Sequence, residues 1–463
     1  MSNRASAFDA ERLLHILRSL PQVKAYIVGF SGGADSTALL HALNTLKDRL
    51  QVPFTAVHIN HGLHEHADTW QQECEAFCLE RDIELVCLAV HPRKDSGKGL
   101  EAEARQLRYE AICTRIGDGD CLLTAHHADD QAETLLLNLM RGSGVDGLSS
   151  MPESRPLGNG LLQRPLLGFQ GKALRDYLRC NRVEWSEDPS NQHTDHDRNF
   201  VRHEVIPLLE THWPGVSKRL LLTRNAMTES RRLLETLADA YLADNLVHPL
   251  VLTITPEART DAGLLKLAIR RWIKQSGPPS ISTYMLESLY RQLNQARRNH
   301  KVAIRWSGWV IHLYRQQLWL HEDRALQPCP AINWPDQQTE LKLGNDCGRI
   351  LLEGPDPLTP DGKFSVACRS HTELTTIMQG GHHKNLKKLF QAAAVPPWLR
   401  DCVPLCKLDG ELVAMGDWCI DDHFSAWLTN RHMKLCWQPE NPLLTFVQAQ
   451  LHAGVVDPAG VVS

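Results

Sequence analysis

A glycine corner set between a strand and a helix constrains this chain more than any other feature. In "IVGFSGGADSTALLHAL", residues 27–43, a short apolar run ends in Ser31, Gly32 and Gly33, and apolar residues resume at helical spacing after Asp35 and Ser36. Adjacent glycines let a backbone take positive φ and approach a ligand closely, and a helix starting there aims unpaired amide N–H groups at whatever is bound. Anions are favoured at such a place. Ser31, Ser36 and Thr37 add hydroxyl donors, which gives the corner the make-up of a phosphate cradle. It is neither a GxxxxGK loop nor a GxGxxG dinucleotide fingerprint. Asp35 is the informative residue, because a carboxylate beside phosphates repels them unless a divalent cation lies between, and oxygen-ligated Mg2+ is the usual solution. The plainer alternative is that Asp35 or Ser36 only caps the helix.

The flanking sequence gives the fold class. Runs rich in β-branched and apolar residues, "AYIVGF", "FTAVHI", "IELVCLAV" and "CLLTA", alternate with helical patterns over 37–50, 67–80, 100–116 and 128–140. Alternation of this kind predicts an α/β fold built on a doubly wound parallel sheet with helices on both faces. Ligands bind beyond the carboxyl ends of the strands in such sheets, which is where the corner lies. The chain has 463 residues, more than the roughly 250 to 300 over which a single hydrophobic core grows. Three domains are expected: 1–215 carrying the sheet, a mainly helical domain at 216–325, and a small α+β domain at 338–440. Helices are expected at 258–275 and 283–297, short strands at 301–321, and a linker in the proline-rich "RALQPCPAINWPDQQ".

A second motif, "LLTAHHADDQAETLLLNLMRGSG" at 122–144, also begins at a strand end. A helix starting near Ala128 separates Asp129 from Glu133 by four residues and Asp130 from Glu133 by three, so acidic side chains share one face. His126 and His127 lead into that turn. Clustered histidines and carboxylates can hold a metal, orient a nucleotide or act as a base. A helix N-terminus enriched in acids for dipole reasons accounts for Asp129 or Asp130, but not for two histidines as well.

"SGGADS" after a strand resembles the SGGxDS signature of the PP-loop ATP pyrophosphatases, which split ATP between its α and β phosphates and adenylate a carbonyl oxygen. With "HINHGL" at 58–63, "EAEARQLRYEAI" at 101–112, "RPLL" at 164–167, "WSEDPSN" at 185–191, "RNFVRHEVIPLL" at 198–209 and "NLKKLFQAAAVPPWLRDCVPL" at 385–405, the chain resembles one branch of that superfamily, the tRNA(Ile)-lysidine synthetases. The likeness covers most of the chain and leaves about 225–360 without matched motifs. It implies an adenine nucleotide hydrolase-like first domain, ATP and Mg2+, and the conversion of the wobble cytidine of tRNA(Ile) to lysidine with free L-lysine. The expected ATP-binding residues are Ser31, Gly32, Gly33, Ala34, Asp35, Ser36 and His126. The expected metal ligands are Asp35, Asp129, Asp130 and Glu133. Asp35, Asp130, Arg105, Arg108 and Arg141 are the expected catalytic residues, the arginines meeting negative charge that develops during adenylation. Asp130 leads as base or metal ligand, with Asp129 and Glu133 behind it, and the sequence does not divide those roles. Gly142 and Gly144 suit a gating loop after Arg141, and "DPSN" at 188–191 is either a turn or part of the lysine or tRNA site.

Charge and cysteine usage fit this reading. The net charge is −4, yet residues 201–310 carry 16 lysines and arginines against 9 acids, so a basic surface is expected there. Arg231, Arg232, Arg270, Arg271, Arg297 and Arg298 come in doublets suited to a phosphate backbone, and Lys384, Lys387 and Lys388 mark a helix expected at 384–394. Thirteen cysteines without a CxxC pair point to reduced thiols in the cytoplasm. "CVPLC", 402–406, reads as buried thiols, and His58, His61, His64 and His66 are a weak zinc candidate. No apolar run approaches the roughly 18 residues of a membrane span. A tRNA-thiolating relative calls for paired cysteines, and an amidotransferase for a nucleophilic cysteine where Ser2 stands. A non-catalytic RNA-binding protein has no use for Asp35, His126, Asp129, Asp130 and Glu133 together.

Overall fold

The computed structural model describes residues 7–62, 66–92, 100–187, 197–295, 302–335, 338–355, 358–368 and 376–454. The chain divides into two compact units, 1–234 and 235–463, with the boundary inside the helix Val216–Asn245.

The first unit runs α1 (Ala10–Ser19), β1 (Tyr26–Gly29), α2 (Ala34–Thr45), β2 (Phe54–Asn60), α3 (Ala67–Leu79), β3 (Leu85–Ala89), α4 (Leu100–Cys113), β4 (Cys121–Leu123), α5 (Ala128–Met140), α6 (Val145–Leu148), β5 (Ser154–Leu157), β6 (Gly160–Gln163) and α7 (Gly171–Cys180). The sheet order is β3-β2-β1-β4-β6-β5. All pairs are parallel except β5 with β6. Successive strand residues face opposite sides, and both sides are buried. Tyr26 and Val28 join Leu39, Leu43 and Leu174 under α1, α2 and α7, while Ile27 joins Val57, Ile112 and Leu122 under α4. That explains why these strands read as continuous apolar runs.

The chain adds β2 and β3 on one side of β1, then crosses over to place β4 on the other. The order therefore reverses between β1 and β4, the position where open α/β sheets form a ligand crevice. The glycine corner leaves β1, and His126 and His127 leave β4. Topology thus brings the two motifs to one crevice.

In the second unit, the helices Ala262–Ser276 and Thr283–Gln295 pack on a five-stranded antiparallel sheet through Leu265, Trp272, Leu289 and Trp306. Two strands of that sheet, Leu246–His248 and Val251–Thr253, were not expected, since three residues carry no readable period-2 pattern. Toward the C-terminus a second five-stranded sheet, a three-stranded sheet and a hairpin share one large core. The expected linker is docked onto this core: Cys329 and Trp334 are buried, Ile332 and Asn333 pair with Val366 and Ser365, and Arg324 grips Asp346 at 2.6 and 2.8 Å. Its prolines preclude a helix but not packing.

Candidate active site

The corner after β1 is held open from beneath. Gly32 takes φ +81, and a Cβ there would stand 3.1 Å from Cys74 Sγ, so both the left-handed backbone and the close approach require glycine. Gly33 differs from expectation: at φ −72 it occupies the extended N-cap position of α2, which any residue adopts. Its contribution is the absence of a capping side chain, so the first-turn amides of α2 face the crevice without an internal partner. Thr37 also departs from expectation. It is buried and donates its hydroxyl to Gly32 O at 3.1 Å, bracing the loop from below. Ser36 donates to Gly33 O at 3.0 Å and accepts from the Ser31 amide at 3.2 Å. The Ser186 amide donates to Gly32 O at 3.0 Å, so the segment 185–187 is fastened to the corner across the fold.

Asp35 and the second motif meet at His127. His127 caps α5, accepting from the Asp129 amide at Nδ1 (3.2 Å), while its own amide donates to Asp130 Oδ2 at 2.9 Å. This reciprocal capping box fixes the ring. Its Nε2 stands 3.3 Å from Asp35 Oδ2 and 3.7 Å from Asp130 Oδ2, and its Nδ1 lies 3.7 Å from Asp129 Oδ2. Burial opposes a charge on the ring, but the hydrogen bond to Asp35 and the charges of Asp130, Asp35 and Asp129 outweigh it and push the pKa up to about 9. Charging changes what Nδ1 does: the neutral ring accepts from the Asp129 amide, and the charged ring donates toward the Asp129 carboxylate. Its neighbour His126 is pushed the other way, down to about 4, chiefly by burial, and is neutral at physiological pH. Thr124 Oγ1 lies 2.9 Å from its Nδ1.

The four expected metal ligands separate into two groups. Asp35 Oδ1 is buried without any hydrogen-bond partner, an arrangement that costs free energy unless a ligand or cation completes it. Asp129 is partly exposed and accepts from the Gly171 amide at 3.0 Å. Asp130 and Glu133 are instead engaged by two arginines. Asp130 Oδ1 receives Arg198 Nη2 at 2.8 Å and Arg202 Nη2 at 3.0 Å. Glu133, 1 % exposed, receives Arg198 Nε at 2.8 Å on one oxygen and Arg202 Nε at 2.5 Å on the other. Burial works against the Asp130 carboxylate, but His127 and Arg198 hold its pKa below the ordinary value. Asp130 and Glu133, expected as open carboxylates, are thus both held by arginines in this structure, which ties α5 to the segment 198–202. Arg198 and Arg202 stand on the short helix Asp197–Phe200 and the wider turn Val201–Val205 that follows it. Their signal lay in "RNFVRHEVIPLL", four residues apart on one helical face.

The arginines expected to act in catalysis do not share one place. Arg105 lies on α4 within electrostatic reach of His126, over the Tyr109 ring. Arg108 contacts His61 Nε2 at 2.9 Å, beyond the end of β2. Arg141 stands at the other end of α5 from His127, about 20 Å along a helix rising 1.5 Å per residue, where it pairs with Asp197 at 3.7 Å. The helix length alone removes it from the nucleotide corner. Sequence reasoning passed over Arg164 of "RPLL". It is buried, donates to Pro152 O at 2.7 Å, and its Nε has no partner. Of the histidine group, His58 is a buried core residue whose Nδ1 meets Phe30 O at 3.0 Å, and burial pushes its pKa down. His64 and "DPSN" lie outside the described residues.

The basic doublets fare unevenly. Arg271 is committed to Asp239 through two contacts of 2.7 and 2.8 Å, and Arg297 and Arg298 lie outside the described residues. Lys387 and Lys388 are exposed on the helix Leu386–Ala392, capped by Asn385. No helix among the described residues is long and apolar enough to cross a membrane.

A doubly wound sheet with an uncapped glycine corner and an acid at its switch point defines the PP-loop class of ATP-using proteins, and a PP-loop domain profile matches residues 6–209. Two further profiles, a TilS substrate binding domain and a TilS substrate C-terminal domain, match 260–319 and 364–437. The chain is 37 % identical over 425 residues to the tRNA(Ile)-lysidine synthase of Alkalilimnicola ehrlichii, covering 90 % of this chain and 94 % of that protein. It is 37 % identical over 432 residues to that of Xylella fastidiosa, covering 90 % and 95 %, and 36 % identical over 415 residues to that of Pseudomonas syringae pv. tomato, covering 88 % and 91 %. This chain belongs to the tRNA(Ile)-lysidine synthase family.

Proposed function

We propose that this chain ligates free L-lysine to the wobble cytidine of a tRNA(Ile) with a CAU anticodon, consuming ATP and releasing diphosphate and AMP. The observation that carries the reading is Asp35: a buried, unpartnered carboxylate oxygen beside an uncapped helix N-terminus, in a chain whose relatives are tRNA(Ile)-lysidine synthases.

In the first step the cytidine O2 attacks the α-phosphorus, the bond to the β-phosphate oxygen breaks, and diphosphate leaves. The first-turn amides of α2 and the backbone of Gly32 and Gly33 receive the triphosphate. We assign Mg2+ to Asp35, whose buried oxygen has no other partner; bound there, the ion would supply the charge neutralisation that lets an acid adjoin phosphates. In the second step the lysine ε-amine attacks C2, a C–N bond forms, and the C2–O2 bond breaks as AMP leaves. The amine must first lose a proton. From an unperturbed pKa near 10.4 this costs about 4.6 kcal/mol at pH 7, so a carboxylate helps only by accepting that proton or by orienting the amine. Asp129, partly exposed, is our candidate for that role, because Asp130 is engaged by Arg198 and Arg202. Arg105 and Arg164 are the candidates to meet charge on the α-phosphate.

We assign the catalytic role to 1–215 and tRNA binding to 216–325 and 338–440, with Lys387 and Lys388 among the phosphate contacts. The test is to incubate the protein with ATP, Mg2+, labelled lysine and tRNA bearing a CAU anticodon. Lysine entering the RNA with equimolar AMP supports the reading. Failure to label, or incorporation of sulfur from a sulfur donor, refutes it.

A further inference from the structure

Three cysteines from separate segments of the second unit converge, and a fourth, Cys402, adjoins one of them. Cys329 follows the strand Gln317–Glu322, Cys347 ends the tight turn Asn345–Cys347, Cys368 follows the strand Phe364–Ala367, and Cys402 ends the turn Pro397–Cys402. The sulfurs of Cys329, Cys347 and Cys368 all lie within 4.8 Å of one another. Cys329 is 3.0 Å and Cys347 3.6 Å from Cys368. Cys402, fully buried, hydrogen-bonds to Cys347. We propose that these four residues form a structural Zn2+ site that staples the C-terminal domain.

Several features separate this cluster from ordinary buried thiols. A tetrahedral site with Zn–S bonds of about 2.3 Å places its sulfurs about 3.8 Å apart, so the two spacings to Cys368 need open by less than 1 Å, while Cys402, outside the 4.8 Å group, has to move in to complete the set. The Cys329 amide donates to Cys368 Sγ at 3.2 Å, the contact that steadies a thiolate. The frame around Cys347 is rigid. Arg324 clamps the adjacent Asp346, Trp437 Nε1 donates to Cys347 O at 2.8 Å, and Gly348 turns at φ +71 where a Cβ would overlap Gln438 O.

All-sulfur tetrahedral coordination selects Zn2+ over Mg2+ or Ca2+, and four protein ligands leave no open position for catalysis. On binding, the thiols release their protons to solvent and four sulfur–metal bonds form, with no redox change. A disulfide between Cys329 and Cys368 would instead need a separation of about 2.0 Å and would leave Cys347 and Cys402 without a role. The proposal is independent of the assigned reaction, since none of the four cysteines has a role in it.

The test uses the full chain, purified with a reductant and without chelator, and counts zinc by mass spectrometry. About one zinc per chain is expected. The expected count falls to background in Cys347→Ser and Cys368→Ser and stays at one in Cys180→Ser, whose thiol is exposed. Because the serine variants can misfold, the wild type is also loaded with Co2+. Thiolate-to-cobalt charge-transfer absorption with the visible bands of a tetrahedral ion supports the site, and Cys402→His is expected to keep the metal but shift those bands. Wild-type protein that takes up neither zinc nor cobalt in reducing buffer overturns the proposal. So does a Cys329–Cys368 disulfide in protein whose thiols were alkylated in the lysate.

Discussion

Removing Glu133 tests whether its ion network supports the corner of the active site. Its side chain is 1 % exposed and receives both guanidiniums, while Arg198 and Arg202 keep 28 % and 35 % of theirs in contact with solvent. Breaking a fully buried pair costs about 3 to 5 kcal/mol because a charge is stranded. Here each arginine retains Asp130 and some water, which lowers the expected cost of Glu133→Ala to about 2 to 3 kcal/mol. For a unit of this size that is a fall in melting temperature of about 4 to 12 °C. The assay is calorimetry, following the transition that added ATP raises, since binding marks the N-terminal unit. Glu133→Gln, which keeps the volume and loses the charge, is expected to fall between wild type and alanine. Arg202→Lys is expected to behave like Glu133→Gln, because an ammonium cannot span both acids. A shift below about 1 °C for Glu133→Ala, the size typical of an exposed pair, refutes the anchoring role given to Asp130 and Glu133.

Gly32→Ala, forced to hold φ +81 against Cys74, is expected to cost about 1 to 2 kcal/mol and to weaken ATP binding by calorimetry, whereas Gly33→Ala leaves stability within about 0.5 kcal/mol. Equal effects of the two would contradict the roles given to them. The pKa of His127 is raised from 6.5 to about 9 in the folded chain, so the stabilisation it brings is complete below pH 6.5 and fades as pH climbs through about 9. In Mg2+-free buffer, the unfolding free-energy difference between wild type and His127→Gln is expected to shrink across that window; a pH-independent difference speaks against the charged ring. Replacing Lys387 and Lys388 by glutamate is expected to weaken tRNA binding and reduce the salt slope by about 2, whereas Arg271→Ala, already paired with Asp239, leaves the slope unchanged. An unchanged slope for the lysine pair removes that helix from the interface.

The nucleotide corner was legible because its chemistry is local: strand, glycines, acid and helix follow within about a dozen residues. The second motif was legible for the same reason, but of its two histidines the sequence favoured His126, whereas the structure sets His127 against Asp35 once topology places β4 beside β1. What the sequence concealed is pairing at long range. Arg198 and Arg202 reach Asp130 and Glu133 across 65 to 72 residues, and nothing in the local pattern shows that two acids on a promising face are already engaged. Arg141, expected among the arginines that meet charge developing in adenylation, stands at the far end of α5, a distance set by the helix length. The cysteine cluster is hidden more deeply, since Cys329, Cys347, Cys368 and Cys402 have no short spacing and meet only when separate turns are packed. Conversely, proline in 324–338 suggested a linker where apolar Trp334 and Cys329 dock the segment.

The central claim is that the Asp35 corner adenylates the RNA. Incubating the protein with Mg2+, CAU-anticodon tRNA and ATP radiolabelled at the α-phosphate, with lysine withheld, isolates that step. Wild type is expected to transfer the label to the tRNA and Asp35→Asn to transfer little or none, with the label released as AMP once lysine is added. Equal labelling by Asp35→Asn, or lysine incorporation without any α-phosphate ever joining the RNA, would contradict the claim.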